Sequence, residues 1–313
     1  MNGVKGKGFS EPLAGVISLL AALVTLLLLA VGCDDTAVTP DGEAPGASPQ
    51  AAVETKVSLT PPAFIADLEP GEDVLRPSPE EILAEKGIEL TLPSLLERVR
   101  DEDESLDVRF MSALALGNTG DQSAVPVLIE LLHAEEAELR YAAVVALGRL
   151  GSVEAVPSLK EALADPSERV RLAAIGALAN LGGDEAAYAL AEKVTDTDEP
   201  SEDVRANAAF YLGDMRASVA KPWLLDALDD PSLEVRTAAA VALADLADTQ
   251  AIPVLIETLK DPAARDWLVV KAIEGLKELT GLDFGYPKPY WAPATEEERK
   301  EAIRRWIEWW ENQ

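Results

Sequence analysis

The sequence is poor in the residues on which most enzyme chemistry rests. One His and one Cys occur in 313 residues. That excludes a zinc site built on several Cys and His ligands, an intrachain disulfide and most His-based catalytic machinery. Aromatic residues make up 5%, and four of the six Trp fall in the last 23 residues. Positive charge is also scarce: 27 Lys and Arg stand against 56 Asp and Glu, a formal net charge of −29. A chain this acidic repels phosphate backbones, so nucleic acid is excluded as a main partner. Core material, by contrast, is plentiful. Hydrophobic residues make up 48%, and the length allows two domains or one elongated one.

The N-terminus has the layout of an export signal. Residues 1–12 carry Lys5, Lys7 and a single acid, Glu11, and an uncharged run follows from Leu13 to Ala30. A basic start, an apolar run and a small residue before a cut predict secretion. The 18 residues of that run are also just long enough for an uncleaved membrane anchor. The single Cys stands where the run ends, in Ala30-Val31-Gly32-Cys33. This resembles the lipobox of bacterial lipoproteins, with Ala30 where Leu is usual. The resemblance implies a signal peptide over 1–32, a diacylglyceryl thioether on Cys33 and acylation of the new amino group, palmitate being the expected acyl chain. Two or three chains anchor stably where one would not. Asp34 resembles the signal that keeps lipoproteins in the inner membrane of enteric-type Gram-negative bacteria. Both readings place the C-terminal body outside the cytoplasm, facing the periplasm or exterior.

Residues 33–79 read as anchor and tether. The stretch 34–62 is rich in Ala, Pro, Thr, Ser and Gly and has no aromatic residue. Such a segment cannot bury enough apolar surface to offset its ordering entropy and is expected to be disordered. As a coil the tether up to about Pro79 spans roughly 35–40 Å, which would hold the rest clear of a lipid surface. Residues 63–78 read either way.

From residue 80 the sequence repeats. Arg109-FMSALALG, Arg140-YAAVVALG, Arg171-LAAIGALA, Arg205-ANAAFYLG and Arg236-TAAAVALA recur at intervals of 31, 31, 34 and 31 residues. A second landmark keeps the same register: Pro126, Pro157, Tyr188, Pro222 and Pro253. A fixed period of this size predicts a solenoid. Each unit reads as two helices. The first is Ala-rich and ends near a Gly, a helix stop; the second starts at a Pro in its first turn and ends at Asp-Pro, as at Asp165-Pro166, Asp230-Pro231 and Asp261-Pro262. The pattern resembles the HEAT repeat, in the short form also found in phycobilisome-lyase subunits. The resemblance covers about 90–280 and implies an all-α, right-handed α-solenoid of about six helical hairpins over 80–281. Residues 282–313 differ. An aromatic loop precedes Thr295-Glu-Glu-Glu298, a capping box, and the helix after it places Ile303, Trp306, Ile307 and Trp310 on one face. Solenoids need a distinct terminal cap, so this segment reads as a Trp-rich cap with Trp309 on its exposed side.

Several constellations have a functional and a structural reading. In HEAT-like families an arginine column such as Arg109 to Arg236 is architectural: the acid before each Arg caps the helix and the Arg pairs between units. Glu97, Glu130, Glu161, Glu192, Asp226 and Glu257 lie four residues past each Pro-like landmark. In HEAT solenoids the second helices line the concave face, so these six would form an acidic ladder there, with no base in the column. Val127, Ile129, Trp223, Leu225, Val254 and Ile256 would give it apolar flanks. Glu is also a good helix former on any wet face, which is the structural reading. His133 reads as a surface residue. HEAT-like deoxyhypusine hydroxylases use repeated His-Glu pairs on a di-iron site, and no such pair occurs here. Asp196, Asp198, Glu199, Glu202 and Asp203 offer oxygens for Ca²⁺ but lack the EF-hand spacing, and no metal or cofactor is expected. The expected function is non-enzymatic: a lipid-anchored, protein-binding scaffold of the cell envelope whose partner carries a basic segment. The alternative is a ligand-binding or carbohydrate-active module with its site in the aromatic loop around Trp291, Trp306, Trp309 and Trp310.

Overall fold

The computed structural model describes residues 78–287 and 294–313, all within a unit that begins at Lys56. The readings made for the signal, Cys33, Asp34, the tether and Trp291 lie outside the described residues. Those described residues form fourteen α-helices and no strand. The helices pair into seven hairpins, one more than the repeat pattern predicts. The first helices are α1 (Pro79–Glu85), α3 (Leu106–Asn118), α5 (Ala137–Leu150), α7 (Glu168–Leu181), α9 (Glu202–Asp214), α11 (Leu233–Asp245) and α13 (Asp266–Thr280). The second helices are α2 (Leu92–Arg100), α4 (Val125–Leu131), α6 (Val156–Ala162), α8 (Gly183–Val194), α10 (Lys221–Asp226), α12 (Ile252–Lys260) and α14 (Glu296–Glu311).

The additional hairpin is the first. Ser78 caps α1, accepting from the Glu81 N–H at 3.1 Å, while Glu81 accepts from the Ser78 N–H at 2.8 Å. Pro79 occupies the first turn, where no donor is lost. Leu83 is fully buried, so α1 covers the open end of α3. The helix has seven residues, about two turns, too short for the sequence repeat to register.

First helices stack directly on one another because their contact positions are Ala and Gly. A Cβ on Gly117 would lie 2.6 Å from the Ala146 Cα, and one on Gly213 would lie 2.8 Å from the Ala242 Cα. These glycines set the spacing of successive units; the helix stop is a different residue, such as Gly151 at φ 68°. Between α9 and α13 the stack bends toward the first helices. Phe210 on α9 and Trp267 on α13 meet past α11, with ring centroids 5.6 Å apart. Asp203 and Arg265 approach to 3.8 Å along the same path. Thr237 to Ala244 of α11 are consequently all buried. First helices therefore form the inner side of the bend here, which corrects the expectation that second helices line the concave face. Side-chain size decides it: small residues let first helices approach, while the Leu-rich second helices stand further apart.

The C-terminal cap is as the sequence suggests, with two differences. Thr295 and Glu298 form the capping box, at 3.2 and 2.8 Å. α14 packs on α12 as a second helix, with Trp306 fully buried. Phe284 meets Trp306 edge-on at 4.7 Å, and Trp309 does so at 5.7 Å. Trp309 is thus half-buried against the core and not the exposed residue expected, while Ile307 is absent from the packed face. Trp309 stands three residues after Trp306, so the i, i+3 spacing itself brings the two indoles together. Replacing Trp306 with Ala is expected to destabilise the fold by about 3–5 kcal/mol, measured by denaturant unfolding; a loss below about 0.5 kcal/mol would remove Trp306 from the core.

Candidate interaction surface

The arginine column is internal scaffolding, with a geometry that differs from the one expected. Arg140 makes a two-pronged ion pair with Asp165 at 2.7 and 2.9 Å, and its remaining nitrogen donates to the Ala134 and Glu135 carbonyls. Arg171 grips Glu199 at 2.9 and 2.8 Å and donates to the Asp165 and Pro166 carbonyls. Arg205 grips Asp230 at 3.1 Å twice and donates to the Glu199 carbonyl. Arg236 donates to the Asp230 and Pro231 carbonyls but takes Glu257 at 2.8 Å. Each acid thus joins two units: its carboxylate binds the preceding arginine and its carbonyl the following one. Burial opposes charge on Asp165, but Arg140 and the Ser167 N–H hold its carboxyl below the usual range.

The acids two residues before the arginines, Asp107, Glu138 and Glu234, are not the caps. They sit in the first helical turn, and the cap positions belong to Ser105, Glu136 and Ser232. The acid that matters is the one ending the arginine's own hairpin. It stands 25 residues after Arg140 and Arg205. After Arg171 the interval is 28, because the three extra residues of the 196–203 loop come first. Arg109 has Ala134 at the corresponding place, so it donates to the Val99 carbonyl instead.

That loop leaves little for a cation. Glu199 is 4% exposed and held by Arg171, with the Lys193 amine 3.5 Å away. Asp196 accepts from Lys193 at 2.7 Å. Among the described residues no cluster of His, Cys, Asp or Glu is arranged to hold a metal ion. An open cleft of about 620 Å³ borders the arginine pairs at the starts of α7, α9 and α11, and the Arg171 and Arg205 guanidiniums on its wall already have acid partners. In the aromatic loop the described rings turn inward: Tyr286 is buried and Phe284 lies on Trp306. His133 is exposed.

The acidic ladder is on the surface. Glu97, Glu130, Glu161, Glu192, Asp226 and Glu257 are all exposed, on α2, α4, α6, α8, α10 and α12. It is not free of bases. Lys160 pairs with Glu192 at 3.0 Å and Arg236 with Glu257 at 2.8 Å. No ion pair engages Glu97, Glu130, Glu161 or Asp226 among the described residues. The flanks are also narrower than expected. Val127 and Ile256 point into the core, leaving Ile129, Trp223, Leu225 and Val254 half-buried beside the column. Trp223 meets the exposed Tyr188 of α8, with ring centroids 5.9 Å apart.

A second acidic group, on the first helices, was not legible as a site. Asp245 of α11 is half-buried close to Glu278 of α13, with Asp214 of α9 nearby. Burial, then the Glu278 and Asp214 charges, push the Asp245 carboxyl up to about 6; Lys271 offsets this only in part.

Stacked helical hairpins with a fixed period define an α-solenoid scaffold. A family model of HEAT repeats matches residues 81–140, 125–200 and 196–277. The chain belongs to the HEAT-repeat family. No curated protein matches it. Among solved structures, the complex of CpcE and CpcF of phycocyanin lyase from Nostoc is 25% identical; the match covers 74% of this chain and 99% of that one, with a TM-score of 0.44. Human deoxyhypusine hydroxylase is also 25% identical, over 61% of this chain and 74% of that one, at a TM-score of 0.33. A designed armadillo repeat protein in complex with the peptide (KR)4 is 22% identical, over 60% and 99%, at 0.43.

The Asp245 carboxyl carries a pH prediction. Its pKa in the fold, about 6, lies above its unfolded value near ~3.9. The fold therefore binds the extra proton, and this contribution to stability is present below pH ~4 and lost as pH rises through 6. Asp245→Asn mimics the protonated form. Thermal melts should show the variant gaining on wild type from pH 4 to pH 7.5; parallel pH profiles would mean that Asp245 titrates normally.

Proposed function

We propose that the protein is a non-enzymatic, protein-binding scaffold of the bacterial cell envelope, lipid-anchored at Cys33, that takes a basic segment of its partner on the second-helix face. The observation that carries this reading is the ladder: six exposed carboxylates at one helical position in consecutive units, four of them without an ion pair among the described residues. Like charges repeated along a rigid stack reinforce one another and attract an oppositely charged segment. A HEAT solenoid offers such a surface without needing a pocket. Binding of this kind weakens with salt, because exposed charges are screened over ~8 Å at physiological ionic strength. The membrane part of the proposal rests on the Ala30-Val31-Gly32-Cys33 sequence alone.

Two experiments test it. The triple reversal of Glu97, Glu130 and Glu161 to Lys spares the internal ion pairs. Tagged wild-type and reversed chains should be compared in affinity purification from envelope extracts at low salt. Partners held by wild type should bind the reversed chain about tenfold or more weakly, since three exposed pairs are each worth up to ~1 kcal/mol and become repulsive. A change of less than about twofold would make the ladder a solvated face. Separately, intact-mass spectrometry of the membrane fraction should find acyl mass on Cys33 and residues 1–32 removed. Cys33→Ala should abolish both. Wild-type protein that keeps 1–32 and carries no acyl mass would refute the anchor.

A further inference from the structure

The second-helix face carries an aromatic pair that differs from the chain's other surface rings. Tyr188 is 45% exposed and occupies the landmark position where Pro126, Pro157, Pro222 and Pro253 stand in other units. Its ring meets Trp223 of the next second helix at 70°. In an edge-to-face pair one ring keeps both faces clear of the other, so the pair does not close on itself. Three other rings lie under the chain's own guanidiniums: Arg169 lies 4.0 Å from the Tyr141 centroid, Arg265 5.7 Å from Trp267 and Arg299 5.7 Å from Tyr286. Among the described residues no guanidinium lies over Tyr188 or Trp223.

The charges around the pair have one sign. Asp184 and Glu185 lie one turn before Tyr188 on α8, Glu192 one turn after it, and Asp226 one turn after Trp223 on α10; all four are exposed. Among the bases nearest in sequence, Arg216 is exposed without an ion pair among the described residues, and the lysines are engaged. Lys193 is buried against Asp196, Lys221 is held by Asp248 at 2.7 Å, and Lys160 takes Glu192. Aromatic faces inside an acidic rim are complementary to a planar cation. A guanidinium can stack on a ring while its in-plane N–H groups reach carboxylates; an ammonium is a strongly hydrated point charge that gains less from the ring.

We propose that the Tyr188–Trp223 pair is the docking point for an arginine side chain of the protein partner, stacked on the rings with its N–H groups directed at Asp226 and the acidic rim. This rests on the acidic-face reading and adds a specificity to it: arginine over lysine at one place in the ladder.

The test uses the purified full-length chain in neutral detergent and two blocked eight-residue peptides, alternating Arg-Ser and alternating Lys-Ser, of equal charge. Calorimetric titration at low salt should find the arginine peptide bound about fivefold more tightly, the size of an exposed cation–π contact. Tyr188→Ala, and Tyr188→Leu as a variant that keeps apolar bulk, should abolish the preference while both peptides still bind. Glu97→Gln, remote from the pair, should lower both affinities equally and keep the preference. Equal binding of the two peptides to wild type, or a preference that survives both Tyr188 variants, would overturn the arginine site while leaving the ladder intact. Failure of both peptides to bind would overturn the ladder and the arginine site together.

Discussion

Each unit of this solenoid is tied to the next by one arginine. Arg140, Arg171 and Arg205 each hold a carboxylate at the end of their own hairpin and carbonyls in the turn that precedes it. Since the Asp165, Glu199 and Asp230 residues use their carboxylates toward one arginine and their carbonyls toward the next, the contacts form a continuous zipper from α5 to α11. Two-pronged guanidinium–carboxylate pairs are directional as well as strong. They fix the rotation of one hairpin against its neighbour, which alanine packing alone would leave loose. The burial of Arg171 and Glu199 makes the tie conditional on both partners, because a single buried charge left alone costs about 3–5 kcal/mol.

Side-chain size supplies the remaining geometry. Glycines at positions such as 117 and 213 bring first helices into backbone contact, while the second helices carry Leu, Ile and Trp. Unequal spacing in two layers bends a stack toward the tighter layer, and the contact of Phe210 with Trp267 past α11 is the outcome. The second-helix face lies on the open side of that bend. A partner there meets a column of carboxylates and the Tyr188–Trp223 rings without having to enter a narrow groove.

The sequence made the repeat, its period and the two-helix unit legible, since a pattern repeated five times averages out local irregularity. It did not reveal α1, a helix of seven residues with no repeat signature of its own. It pointed to the arginines as structural, but it gave the preceding acid a capping role that Ser105, Glu136 and Ser232 hold, and it did not identify the acid each arginine takes. Asp107 and Arg109 are neighbours in sequence, whereas Arg140 and Asp165 meet only because a whole hairpin folds between them. The six ladder carboxylates were readable as exposed because helical phase fixes which residues face outward. Their pairing was not, because Lys160 and Arg236 lie in other phases and reach across with long side chains. Asp245 was hidden for a similar reason. Its raised pKa comes from Glu278 and Asp214 on two other helices, and no spacing within one repeat encodes that.

The zipper and the acidic surface are two consequences of one allocation of charge. The chain has 27 basic residues, and the arginines of the repeat are committed to the turns between units, where they are partly or wholly buried. The carboxylates that Arg140, Arg171 and Arg205 neutralise are internal as well. What remains on the second helices is an excess of acids with few long basic side chains nearby. The net charge of −29 is therefore not spread evenly over the molecule. Self-repulsion along such a column costs stability, and a solenoid tolerates it because consecutive units are tied by directional pairs at the turns. A basic segment laid along the column would relieve that repulsion at every unit it crosses, so affinity should grow with the number of repeats spanned. Only the Tyr188–Trp223 step in the column breaks this uniformity, and it is what would set the register of an otherwise repetitive contact.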